Sequence, residues 1–193
     1  MGLKGLSCPC SSRSADARAR CLGFLGAFNC VTGYDSQLVH SQLLSLFEEA
    51  NSEDPRPRTA IEAAWEFANG AARTKLQRIA ALDAHRAAKS APHEAGQHAA
   101  RAAGDAAAAA YLHPLANATQ VGHILRAAAN AARAAELSAA GDPDVGDALI
   151  EQARRRATPA LIDVLNRYPL APVGKSRVAH LMKTLDTSLR TFR

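Results

Sequence analysis

The sequence predicts an all-α protein, a compact antiparallel bundle of seven or eight alanine-rich helices. Of its 193 residues, 44 are Ala, which has the highest helix propensity, whereas the strand-favouring residues Val and Ile are scarce. The hydrophobic share of 48% is large enough to form a core, but only 5% of the chain is aromatic. We therefore expect helices that pack closely through Ala and Leu. No run of about 18 apolar residues occurs, so no membrane-spanning helix is expected.

Capping and helix-breaking residues divide the chain from residue 35 onward into helices. Thr158 followed by Pro159 is typical of a helix start, and Ser176 is expected to begin the last helix. In the third helix, Leu76, Ile79 and Leu82 are the apolar residues at helical spacing. Short connections favour antiparallel neighbours. The predicted helices are approximately 35–50, 58–69, 72–90, 92–112 (with Pro92 in the first turn), 115–140, 145–157, 159–168 and 176–190.

Residues 1–34 are expected to form a loosely ordered extension that precedes a domain spanning residues 35–193. All four cysteines lie in this extension, so a disulfide framework for the domain is excluded. Their spacing does not match the paired ligands of a zinc site. Few acids and recurrent Ser and Arg leave a transit peptide open as an alternative. We expect a cytoplasmic protein with an added leader, whose cysteines are Cys8, Cys10, Cys21 and Cys30.

The chain carries no catalytic signature. Gly174-Lys175-Ser176 resembles the end of a P-loop, but that motif requires Gly at position 169, where the chain has Pro. Asp83 and His85 stand two residues apart on a predicted helix and do not share a face. No H-E-x-x-H or G-x-S-x-G pattern is present. The sequence therefore predicts a protein that is not an enzyme and needs no cofactor or metal.

The net charge of +5 is concentrated near the C-terminus, where residues 151–193 hold nine basic and three acidic residues. A basic end can contact an acidic protein or a nucleic acid, or it can be a solvated helical face. Only Tyr168 and Phe192 could stack on bases there. We favour the solvated helical face. A role as a nucleic-acid accessory protein is the third candidate function, after the two described below.

Several stretches resemble the Imm-5-like family of immunity proteins, which is associated with bacterial polymorphic toxin systems. The resemblance covers about residues 36–190, and its most specific part is the string from Ala110 to Leu125. The stretches that carry it are Asp54-Pro-Arg-Pro-Arg58, Ala60-Ile-Glu-Ala-Ala64, Arg73-Thr-Lys75, Ala84-His85, Ala102-Ala-Gly104, Ala110–Leu125, Arg167-Tyr-Pro169 and the final amphipathic helix.

The resemblance implies a protein that binds a cognate toxin without catalysis and acts as a monomer or homodimer. Inhibition would come from covering the toxin's active site or an exosite. Polar residues within the resembling stretches are the candidates for contact, and helix capping or interhelical hydrogen bonding is their alternative role. These candidates are Arg73, Lys75, Asp83, His85, Arg86, Tyr111, His113, Gln120 and His123.

Three histidines within these stretches suggest a second candidate function. We expect His85, His113 and His123 to converge in a polar pocket between the third, fourth and fifth predicted helices. Such a pocket could bind a small ligand, or a metal through three imidazoles. Small-ligand or metal binding by this pocket is therefore the main alternative to toxin binding.

Overall fold

The computed structural model describes residues 43–113 and 115–191; the predicted extension over residues 1–34 lies outside the described residues. Across this part of the chain there are eight α-helices and no strand, which confirms the predicted all-α class. The helices are α1 (Leu44–Glu48), α2 (Arg56–Ala68), α3 (Lys75–Ser90), α4 (Glu94–Ala108), α5 (Val121–Ser138), α6 (Pro143–Arg156), α7 (Pro159–Leu165) and α8 (Arg177–Arg190), with 3-10 turns at Ala109–Tyr111 and Ala118–Gln120.

Side-chain caps fix where several helices begin. Thr158 accepts a hydrogen bond from the backbone N–H of Leu161, and Ser176 accepts one from that of Ala179. Both predicted starts are confirmed, and Ser176 serves as a helix cap in the segment that resembles a P-loop. At the start of α3, Thr74 and Gln77 form a reciprocal capping box.

Two predicted helix starts are wrong. Ala91 leaves α3 in an extended conformation and His93 is the N-cap of α4, so Pro92 lies outside the helix rather than in its first turn. The fifth predicted helix begins at Val121 and not near residue 115. There the Asn117 side chain accepts the N–H of Thr119 and starts a 3-10 turn instead.

Helices α4 and α5 form the centre of the molecule. Helices α1, α2 and α3 pack on α4, and α6 and α8 pack on α5. The inner faces are almost entirely alanine, as in the fully buried run from Ala127 to Ala132 apart from the polar Asn130. A Cβ added at Gly104 would lie 2.9 Å from the carbonyl oxygen of Ala81. The backbones of α3 and α4 therefore approach closely. None of the helices in the described residues is long and apolar enough to cross a membrane.

The large apolar residues of α3 face outward. Leu76, Ile79 and Leu82 are 43%, 55% and 50% exposed, so the apolar residues at helical spacing do not form the packing face of this helix. The close approach to α4 leaves room only for small side chains, and the helical period alone does not tell which face is buried. The buried positions of α3 are Gln77, Ala80, Ala81, Ala84, Ala87 and Ala88.

Arginines neutralise the buried acids near the C-terminal end. The buried Glu136 accepts hydrogen bonds from Arg133 and Arg177. The buried Asp186 accepts from the guanidinium of Arg190 and from the backbone N–H of Ala171. Part of the basic character of residues 151–193 is therefore used to hold α8 and the preceding loop in place.

Replacing Gly104 with Ala should destabilise the protein, because the added methyl would meet the Ala81 carbonyl and the His85 ring. We expect a loss of about 1–3 kcal/mol in the free energy of unfolding, which exceeds the gain in helix propensity. The matched control is Gly122→Ala, where the nearest atom is a terminal nitrogen of the partly exposed Arg126 side chain rather than a backbone atom. Urea unfolding measures both variants. A Gly104→Ala protein as stable as Gly122→Ala would contradict the close approach of α3 and α4.

Candidate functional site

A buried carboxylate organises the polar residues between α3, α4 and α5. The Asp105 side chain is 1% exposed. Its Oδ1 accepts hydrogen bonds from the Arg126 guanidinium at 2.8 Å, and its Oδ2 accepts from Asn130 Nδ2 at 2.8 Å. His85 Nε2 lies 3.5 Å from Oδ1. We call Asp105, Arg126, Asn130, His85 and His98 the Asp105 network. It ties three helices together.

His98 completes the network from α4. Its Nδ1 lies 2.8 Å from Asn130 Oδ1, so the Asn130 amide bridges His98 and Asp105. Burial lowers the pKa of His98. The hydrogen bond to Asn130 raises this pKa, and the nearby cations Arg101 and Arg133 lower it. His98 is therefore held in its neutral form, which can donate one hydrogen bond and accept another.

His123 lies beside this network on α5. Burial lowers its pKa, the charge of Arg126 adds to that effect, and the Asp105 carboxylate opposes it. Within the described residues its Nδ1 is buried without a hydrogen-bond partner. His85 on α3 and His123 on α5 thus each interact with Asp105.

His113, the third histidine of the predicted pocket, lies in the exposed loop after the first 3-10 turn. Its backbone N–H donates to the Gln120 side chain at 2.8 Å, and its carbonyl accepts from the hydroxyl of Tyr168 at 2.6 Å. The backbone of His113 and the side chain of Gln120 thus help to fix this exposed loop. Among residues 43–113 and 115–191, no group of three or more His, Cys, Asp or Glu side chains could hold a metal ion.

Arg73 and Tyr111 meet at the N-terminal end of α3. The Arg73 guanidinium carbon lies 5.3 Å from the centre of the Tyr111 ring, within the range of a cation–π contact. Arg73 also donates to the Ala110 carbonyl at 3.4 Å, and the Tyr111 hydroxyl donates to the Thr74 carbonyl at 2.6 Å. Both side chains therefore help to fix the segment that enters α3.

The remaining candidates lie on the outer side of α3. Lys75 begins the helix and is exposed. Asp83 accepts a hydrogen bond from Arg86 at 2.7 Å in a largely exposed pair. Exposed pairs of this kind contribute little to stability. Lys75, Asp83 and Arg86 are accordingly available to contact a partner.

Sequence reasoning missed the network's centre. It did not single out Asp105, Arg126, Asn130 or His98 as site residues. A single acid within the run Ala102–Ala110 was the available signal, because an isolated carboxylate on a buried alanine face must find partners. The partners come from residues 21 and 25 positions away, a separation that local pattern does not reveal.

The part of the chain that holds these residues also matches a known protein family. The sequence model of the Imm-5 like putative immunity protein family matches residues 37–159. The chain belongs to this family. The match contains every predicted candidate residue and the whole Asp105 network. The resemblance expected over residues 160–190 lies beyond it. No curated protein and no solved structure matches the chain.

Removing the central carboxylate of this Imm-5-like protein should be costly. Asp105→Ala leaves the Asn130 amide buried without its acceptor and separates Arg126 from its counter-charge. We expect a loss of about 2–4 kcal/mol in the free energy of unfolding. The control is Asp83→Ala, which breaks an exposed pair and should cost less than about 1 kcal/mol. Equal effects of the two substitutions in urea unfolding would refute a central role for Asp105.

The lowered pKa values of His98 and His123 predict loss of stability in mild acid. Below about pH 6.5 the unfolded chain takes up protons at these positions that the folded protein resists. The free energy of unfolding should therefore fall as the pH drops from 7.5 to 5.5. In His123→Leu, which also removes a buried unpaired nitrogen, the fall should be smaller. Urea unfolding at the two pH values measures it, and an unchanged slope in this variant would count against the inference.

Proposed function

We propose that this protein binds and neutralises a cognate toxin protein without catalysis. The observation that carries the proposal is its membership of the Imm-5 like putative immunity protein family. As part of the same proposal, it acts in the cytoplasm of the producing cell as a monomer or homodimer. Residues 35–193 form the binding domain.

The construction of the helices supports a binding role. Small side chains let α3, α4 and α5 pack closely, and Arg126 and Asn130 on α5 both donate hydrogen bonds to the buried Asp105 on α4. A partner would meet an already ordered surface, so little conformational entropy would be lost on binding. The candidate residues on α3 and at its N-terminal end lie on this ordered part.

The charge of the chain supports one class of toxin surface. An inhibitor that covers the nucleic-acid site of a nuclease is expected to be acidic, because it mimics the phosphate backbone. This chain carries a net charge of +5. The four exposed cations of α3, against the single acid of that helix, are therefore better suited to a toxin with an acidic surface.

The basic C-terminal end gives less support to nucleic-acid binding. Arg177 donates to Glu136 and Asp147, and Arg190 donates to Asp186 and two backbone carbonyls. Arg155 pairs with Glu151. The guanidinium groups of Arg177 and Arg190 serve the fold, and that of Arg155 already has an acidic partner, which favours a protein over a nucleic acid as the binding partner.

Co-expression with the product of the neighbouring gene tests the proposal. If that gene encodes the toxin, its expression alone should stop growth, and co-expression with this protein should restore it. The two proteins should co-purify as a stoichiometric complex at moderate salt. A toxic neighbour that is neither bound nor silenced would overturn the proposal. Co-expression with the empty vector is the negative control for the rescue.

A further inference from the structure

The outer face of α3 is apolar at its centre. Three of the six exposed large hydrophobic side chains in the described residues, Leu76, Ile79 and Leu82, lie on this one helix. At about 100° per residue, Ile79 and Leu82 project to the same side as Lys75 and Arg86. The helix thus has its small residues inside and its large apolar residues outside. This arrangement is typical of a surface that a partner covers.

Positive charge surrounds the apolar centre. Four cationic residues of α3 are exposed, and the single acid of the helix, Asp83, accepts a hydrogen bond from Arg86. Next to the N-terminal end of the helix, the Arg73 guanidinium lies over the Tyr111 ring. Arg and Tyr are enriched among residues that dominate binding energy. We call this surface the α3 face; it consists of Arg73, Lys75, Leu76, Arg78, Ile79, Leu82, Arg86, Lys89 and Tyr111.

We infer that the α3 face is the docking surface for the toxin, and that it binds an acidic patch with an apolar centre. The inference rests on the proposed function and adds the surface and the chemistry of the partner. An excess of exposed cations around Ile79 and Leu82 requires carboxylates on the opposite surface. A second copy of this chain would bring the same cations together, and like charges facing each other oppose such a dimer.

A second surface of the molecule gives weaker support for a docking site. An open groove of about 580 Å³ lies along α6, lined in part by Val145, Leu149 and Arg155. There Glu151 accepts hydrogen bonds from Arg154 and Arg155, which hold the pKa of Glu151 at about 2. Acid and base are therefore both present along this groove, and its charge does not select a partner.

The test compares variants of the α3 face for binding to the neighbouring gene product. Ile79→Ser with Leu82→Ser removes the apolar centre, and Arg78→Glu reverses one charge at its edge. All three residues are exposed, so these variants should fold like the wild type. We expect each variant to weaken binding at least about tenfold in calorimetric titration. Arg78→Glu should also reduce the dependence of affinity on salt.

Matched controls carry the same chemical changes elsewhere. Leu170→Ser with Val173→Ser removes two exposed apolar side chains from the loop before α8, and Lys183→Glu reverses a charge on α8. These controls should bind like the wild type. If the neighbouring protein binds the α3 variants as tightly as the wild type, the α3 face is not the docking surface, although the proposed function stands.

A second probe separates the two proposals when the neighbouring protein does not bind the wild type. The probe is a synthetic amphipathic helical peptide with Leu on one face and Glu beside it, and its sibling has Lys in place of Glu. The Glu peptide should shift the methyl NMR signals of Ile79 and Leu82, and the Lys peptide should not. Such a result supports the α3 face even where the proposed function fails. Equal binding of both peptides, or no shift on α3, overturns the inference.

Discussion

The close contact between α3 and α4 is the constraint on which the rest of the molecule depends. Gly104 lies so near the Ala81 carbonyl that a single methyl group would not fit. At this distance the inner face of α3 accepts only small side chains, apart from the capping residue Gln77 at its start. The large apolar residues of the helix must then point outward. The exposed Ile79 and Leu82 therefore follow from the way the core is packed.

Helix faces made of alanine pack closely, but their side chains all have the same shape. The relative position of two such helices must therefore be fixed by other contacts, and the buried acids provide them. Asp105, Glu136 and Asp186 are the buried acidic residues of the part of the chain that the structure describes. Each is paired with at least one arginine, from Arg126 on α5 to Arg190 on α8. A carboxylate with several donors in fixed directions permits one arrangement of helices, whereas methyl groups permit many.

The sequence allowed prediction of the helical class, of the caps at Thr158 and Ser176 and of the family, because these depend on local composition and motif. The packing face of α3 could not be predicted in this way. Leu76, Ile79 and Leu82 have the period of a buried stripe, and only the contact with α4 shows that the alanines are inside. The Asp105 network was missed for a related reason, since its members come from three helices.

Burial of the acids also determines what the molecule presents to a partner. The carboxylates of Asp105, Glu136 and Asp186 are enclosed, while the lysines and arginines of α3 stand in solvent. The positive field at the α3 face therefore has little opposing charge within its own helix beyond Asp83. An acidic protein surface would be attracted before contact, with a rate that falls as salt is added. The apolar residues Ile79 and Leu82 would then be desolvated in the complex and slow its dissociation. The small side chains on the inner face of α3 thus determine both how the core packs and which residues the helix presents to a partner.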